Sequence, residues 1–123
     1  MKLCWVTINV KDMDASLKFY TEIVGLTVHR MIKPNPKMQI AFLGSGETKV
    51  ELIYDPKPEA LSYGKDISIG FEVASLDATM ETLKVKGVKI ESGPFQPIPG
   101  GTRFAYARDP DGMSVQFVEN IPR

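Results

Sequence analysis

A single carboxylate, Glu51, stands in the alternating segment Val50-Glu51-Leu52-Ile53, and in what reads as a second copy, Val115-Gln116-Phe117-Val118, an amide takes its place. A carboxylate beside an indole in a concave site can serve as a general base. It can equally pair with Lys49 or with the ammonium of a ligand. Trp5 lies on the opposite parity from Val6 and Ile8, which makes it either core filler or an aromatic platform for a flat or cationic ligand. Gln116 and Ser68 can orient a ligand through hydrogen bonds or satisfy each other. His29 is the only histidine and reads as a solvated strand residue, so no Ser/His/Asp or Cys/His constellation assembles around it. Gly44-Ser45-Gly46 precedes a strand rather than a helix and is a turn, not a phosphate loop. Met31, Met38, Met80 and Met113 are too scattered to form a cofactor box.

The repeat extends beyond that strand. Val10-Lys11-Asp12-Met13-Asp14-Ala15-Ser16-Leu17 recurs as Val73-Ala74-Ser75-Leu76-Asp77-Ala78-Thr79-Met80, so both pairs of segments are related by an offset of about 63–65 residues. Each copy reads β-α-β-β-β. In the first, Leu3–Val10 alternates as a half-buried strand. Asp12 and Asp14 offer N-caps for a helix with Leu17, Tyr20 and Val24 on one stripe, and Gly25 stops it. Leu26–Ile32, Met38–Leu43 and Lys49–Tyr54 are the next strands, with Pro34-Asn35-Pro36 breaking the first two. In the second, the strand Ile67–Val73 leads to a helix capped by Ser75 and ended by Gly87. Val88–Ser92, Thr102–Ala107 and Met113–Val118 follow. Gly93-Pro94 and Pro99-Gly100-Gly101 are the interruptions, and Asp109-Pro110-Asp111-Gly112 is the last turn. The organisation is α+β, with module 1 over residues 1–55, a Pro-containing linker over 56–64 and module 2 over 65–120.

Alternation separates two faces. Cys4, Val6, Ile8 and Val10, with Val50, Leu52, Tyr54, Ile67, Ile69, Phe71, Val73, Val115 and Phe117, form the set that receives the helices. Cys4 on that parity reads as a buried, inert thiol. The other face carries Trp5, Thr7, Asn9, Lys49, Glu51, Ile53, Ser68, Gly70, Glu72, Ser114, Gln116 and Val118. Such a mixed face is either solvated or the wall of a pocket, and in an eight-stranded sheet with its helices on one side curvature would make it the concave wall.

The 123 residues suffice for one ordinary domain with its own core. Fifteen basic residues balance fifteen acidic ones, so no field favours nucleic acid or an acidic membrane. One cysteine cannot form an internal disulfide, which fits a reducing compartment. The N-terminus runs straight into a strand without an apolar signal region, and no stretch approaches membrane-spanning length. A cytoplasmic location is expected.

Taken together, Val10 to Tyr20, then Gly25-Leu26, Gly93-Pro94, and Asp109-Pro110-Asp111-Gly112 with Val115-Gln116-Phe117 resemble the vicinal oxygen chelate superfamily. This family includes glyoxalase I, extradiol dioxygenases, fosfomycin-modifying enzymes and bleomycin-resistance proteins. The resemblance covers essentially the whole chain. It implies two βαβββ modules forming a curved, cup-like eight-stranded mixed sheet with helices outside, often assembled as a homodimer. Metal enzymes of the family place one ligand on the first strand and one on the last strand of each module. Those positions fall here on Trp5, Glu51, Ser68 and Gln116, where only Glu51 keeps the usual type. Indole nitrogen has no lone pair to give, and serine and glutamine are weak neutral donors. No metal and no cofactor are therefore expected.

By the same analogy Phe104 and Tyr106, and Ile40 and Phe42, face the cup. The ligand-contacting set is Trp5, Thr7, Phe42, Glu51, Ser68, Phe104, Tyr106 and Gln116. The expected function is metal-independent binding of a small organic molecule, an antibiotic or a metabolite. One alternative is a lactoylglutathione-lyase-like lyase, isomerase or dioxygenase with an atypical site that uses Glu51. The other is a structural or regulatory dimer with a vestigial cup.

Overall fold

The parallel pairing of a first strand with a last strand organises each half of the computed structural model, which describes residues 1–56 and 59–122. The chain divides into two compact units, Met1–Ser62 and Tyr63–Arg123. Positions 57 and 58 of the expected linker lie outside the described residues. Among those described, unit 1 contains β1 (Trp5–Asn9), α1 (Met13–Lys18) running into a π-helical turn (Phe19–Ile23), β2 (Val28–Asn35), β3 (Met38–Leu43) and β4 (Lys49–Tyr54). Unit 2 contains β5 (Ile69–Glu72), α2 (Leu76–Val85), β6 (Ser92–Phe95), β7 (Arg103–Arg108) and β8 (Ser114–Glu119). The strands form two four-stranded mixed sheets, ordered β1-β4-β3-β2 and β5-β8-β7-β6. The β-α-β-β-β repeat read from the sequence is thus the observed order in both units.

Register fixes the faces. In unit 1, Ile8 lies opposite Leu52 in the parallel pair and Leu52 opposite Ala41 in the antiparallel one. In unit 2, Phe71 lies opposite Phe117 and Phe117 opposite Ala105. These rows meet the helices: Ile8, Ala41, Leu43 and Leu52 are buried, as are Ala105, Ala107, Val115 and Phe117. Full burial of each large apolar side chain contributes about 1.5–3 kcal/mol.

Both helices start as their sequences suggest. Asp12 caps α1 by accepting from the Ala15 N–H at 3.2 Å, and Ser75 caps α2 by accepting from the Ala78 N–H at 3.1 Å. Each chain stop uses glycine at positive φ, Gly25 and Gly87. The buried stripe of the first helix differs from expectation. Met13, Ser16, Phe19 and Tyr20 are buried, whereas Leu17 and Val24 are only half-buried. At Val24 a π turn contributes: the Val24 N–H donates to the Phe19 carbonyl five residues back at 3.1 Å, which adds a residue to the last turn and resets the phase there.

Three expectations at strand ends are corrected. β2 runs through Pro34 to Asn35, and Asn35 makes the turn by accepting from the Lys37 and Met38 N–H groups, both at 3.0 Å. β6 is not Val88–Ser92 but Ser92–Phe95, and contains Gly93-Pro94. Both prolines sit on edge strands, where a missing donor faces no neighbour. Gly93 marks a register shift at φ 97°, and a Cβ there would stand 3.0 Å from the Phe104 carbonyl and 3.1 Å from the Ala105 Cα. Finally, Cys4 and Ile67 are exposed rather than buried. They precede the first paired residue of β1 and β5, beyond the reach of the helix layer.

The Asp109-Pro110-Asp111-Gly112 turn is tied down by a buried carboxylate. Asp109 Oδ1 accepts from the backbone N–H of Asp111 and of Met113, both at 2.9 Å. Arg108 holds the turn from outside by donating to the Gly112 carbonyl at 2.9 Å and pairing with Glu91. Burial, and then the charges of Asp111 and Asp109, push the Tyr63 phenol above its ordinary value. At the other end of the sheet, Glu119 Oε1 accepts from Leu76 N–H at 2.8 Å and Arg103 bridges Glu119 to Asp77. Substituting Asp109→Ala strips two backbone donors of their acceptor and is expected to cost about 2–4 kcal/mol. Asp109→Asn, which keeps an acceptor oxygen, should cost clearly less. Urea unfolding midpoints at constant m-value check this, and equal losses for the two variants would contradict it.

Candidate functional site

The face of the unit 1 sheet turned away from α1 carries one ordered row: Thr7 opposite Glu51, Glu51 opposite Phe42, and Phe42 opposite Arg30. Trp5 opens the neighbouring row, opposite Lys49. Thr7 donates its hydroxyl to Glu51 Oε1 at 2.6 Å, a charge-assisted bond between the first and last strands. Trp5 stands on β1 and Phe42 on β3, the two strands that flank β4. Strands two places apart are separated by about 9.5 Å, yet these rings have centroids 5.4 Å apart at an interplanar angle of 59°. They must therefore lean inward and meet above β4. That roof explains why Glu51, on an outward-facing row, is only 8% exposed while Trp5 itself is 46% exposed.

Glu51 has no cationic partner among the described residues. Lys49, its chain neighbour on β4, turns its ammonium to the Gly46 carbonyl in the β3–β4 turn. Arg30 lies at the far end of the row, beyond Phe42. Of the residues expected to contact a ligand, Trp5, Thr7, Phe42 and Glu51 are thus brought together within unit 1.

The corresponding face of unit 2 has the same layout with different chemistry. Gly70 lies opposite Gln116, Gln116 opposite Tyr106, and Tyr106 opposite Ser92. Gly70 occupies the place of Thr7 and offers no donor. Gln116 Nε2 instead donates to Ser68 Oγ at 3.1 Å, so the amide and the hydroxyl satisfy each other. Ser68 precedes β5, whereas its counterpart Trp5 lies within β1. Phe104 and Tyr106 are in edge-to-face contact at 5.9 Å. Phe95 completes an aromatic cluster, 5.6 Å from Phe104 and 6.5 Å from Tyr106. Sequence reasoning missed Phe95 because Gly93-Pro94 was taken to end its strand. The alternation Ser92, Pro94 against Gly93, Phe95 carries no apolar period that could have found it.

A catalytic transition metal asks for about three imidazole, thiolate or carboxylate ligands. Unit 1 offers Glu51 alone, with an indole where a ligand would stand. Unit 2 offers a neutral amide bonded to a neutral hydroxyl. No group of three or more His, Cys, Asp or Glu residues that could hold a metal occurs among the described residues. The residues present do not fit such an ion. His29, the remaining nitrogen ligand type, is exposed on β2, away from the Glu51 row.

Thr7→Val keeps the shape of the side chain and removes the donor to a carboxylate that is nearly buried, so it is expected to cost about 1.5–3 kcal/mol. In a Glu51→Leu background the same change should cost almost nothing, because the acceptor is gone. A double-mutant cycle in urea measures the coupling, and additive losses would show that the hydrogen bond does not hold in solution.

Comparison with known proteins agrees with this architecture. A family model described as the Glyoxalase/Bleomycin resistance protein/Dioxygenase superfamily matches residues 2–117. A lactoylglutathione lyase from Haemophilus influenzae is 34% identical over 131 residues, covering 98% of this chain and 93% of that protein. Among solved structures, the trypanothione-dependent glyoxalase I of Leishmania major superposes with a TM-score of 0.80 at 26% identity, covering 97% of this chain and 86% of the other. An antibiotic binding protein from Streptomyces shares the fold with a TM-score of 0.76 at 20% identity, covering 98% of this chain and 97% of the other. With a family match across nearly its whole length and the βαβββ repeat in both units, the chain belongs to the Glyoxalase/Bleomycin resistance protein/Dioxygenase superfamily.

Proposed function

We propose that this protein binds a small organic molecule without a metal ion, on the sheet faces that carry Trp5, Thr7, Phe42 and Glu51 and Ser68, Phe104, Tyr106 and Gln116. The observation that carries the reading is the state of the four positions where metal enzymes of the resembled family have ligands. Trp5 is an aromatic roof, Glu51 is held by Thr7, and Gln116 and Ser68 are bonded to each other. Aromatic rings beside a few placed hydrogen-bonding groups are the usual lining of a small-molecule site. The cytoplasm is the proposed location; no helix among the described residues is long and apolar enough to cross a membrane. A homodimer is the proposed assembly, and neither nucleic acid nor membrane is a proposed partner.

Elemental analysis of untagged protein should find no stoichiometric zinc, nickel, iron or manganese. A thermal-shift screen of metabolites and antibiotics should yield a compound that raises the melting temperature, because a ligand selective for the native state must do so. One transition-metal ion per chain, or a screen in which nothing shifts the melting temperature, would overturn the reading.

The 34% identity to a lactoylglutathione lyase favours a second reading, in which a lyase or isomerase activity persists with Glu51 as base. Should turnover of a glutathione thiohemiacetal be detected, Glu51→Gln is expected to abolish it. Undiminished turnover in that variant would remove Glu51 from the chemistry.

A further inference from the structure

The carboxylate of Glu51 is nearly buried on the open face of unit 1, where the Thr7 hydroxyl donates to it. A carboxylate offers roughly four acceptor directions, and here the Thr7 hydroxyl occupies one of them at 2.6 Å. The group is 8% exposed, so water cannot surround it as it would a surface acid. Burying an ionised carboxylate without a counter-charge is unfavourable. Among the described residues no counter-charge is supplied: Lys49 is engaged by the Gly46 carbonyl and Arg30 stands across Phe42.

From this arrangement we infer that the Glu51 face of unit 1 is a recognition site for an organic cation, an amine or quaternary ammonium attached to an apolar body. The inference rests on the small-molecule reading above and names the ligand's chemistry. Three features select this class. The roof is aromatic, and the Trp5 and Phe42 rings attract a cation through their faces. A lone carboxylate cannot replace the water shell of a metal ion, which needs several donors. An alkylated ammonium is weakly hydrated and brings apolar surface that the rings can cover. Unit 2 serves as an internal comparison: at the place of Glu51 it has Gln116, neutral and already bonded to Ser68, so no counter-charge is wanted there. The overall charge is balanced, fifteen against fifteen, so preference for a cation must come from this face rather than from the field of the whole molecule.

Trp5 is the only tryptophan, so its fluorescence reports the site directly. Choline and benzyltrimethylammonium are titrated against their uncharged tert-butyl carbon isosteres at constant ionic strength. Both cations should perturb Trp5 emission saturably and bind about tenfold or more tighter than the isosteres. In Glu51→Gln, whose amide oxygen can still accept from Thr7, that preference should fall to about twofold or less. Circular dichroism confirms that the variant is folded, and the discrimination measured on the unmodified protein stands independently of any variant.

Equal binding of cation and isostere, no saturable response to either cation, or a preference unchanged in Glu51→Gln overturns the inference. A neutral compound from the thermal-shift screen that binds regardless of Glu51 would overturn it while leaving the small-molecule reading intact. Failure of every compound, charged or not, would remove both.

Discussion

Everything distinctive about this molecule follows from the register of one parallel strand pair, used twice. Because β1 is aligned with β4 so that Ile8 faces Leu52, Thr7 must face Glu51 on the other side of the sheet. A slip of one residue would exchange the two sets and place a carboxylate among the helix-facing apolar side chains. The same constraint in unit 2 sets Phe71 against Phe117 inward and Gly70 against Gln116 outward. Core and open face are therefore not separable features, since one alignment specifies both.

Within that shared frame the two units have diverged in charge rather than in shape. Unit 1 retains an acid, gives it one hydroxyl and covers it with two rings. Unit 2 has an amide at the place of the acid, glycine at the place of the hydroxyl, and three aromatic rings beside them. Aromatic cover lowers the local dielectric around an acid and so strengthens its interaction with any charge it meets. One fold can host many chemistries, and the few side chains on the open face are where such differences are made.

Much of this was legible from alternation. The strands Met38–Leu43 and Lys49–Tyr54 match their sequence limits residue for residue, because a clean two-residue period leaves little choice. The placing of Trp5, Thr7 and Glu51 on one face followed from the same parity, and Phe42 joined them through the family resemblance. The failures share a physical origin. Pro34 and Pro94 read as breaks, since proline cannot sit in a central strand, and edge position is a tertiary fact that no local pattern reveals. The π turn moved Val24 off the expected stripe, and one inserted residue leaves no compositional trace. The ring-over-carboxylate geometry was invisible because it depends on rotamers that span three strands.

The Thr7–Glu51 bond joins residues 44 apart in sequence, and so does the parallel pairing that it fastens. Contacts closed over such long loops form late and open early, because the loop entropy is lost before any contact compensates it. A molecule seated against the Trp5 and Phe42 rings would touch β1, β3 and β4 at that seam and favour its closed form. Its concentration would then govern more than occupancy. By lowering the population of opened chains it would also slow proteolysis of the protein.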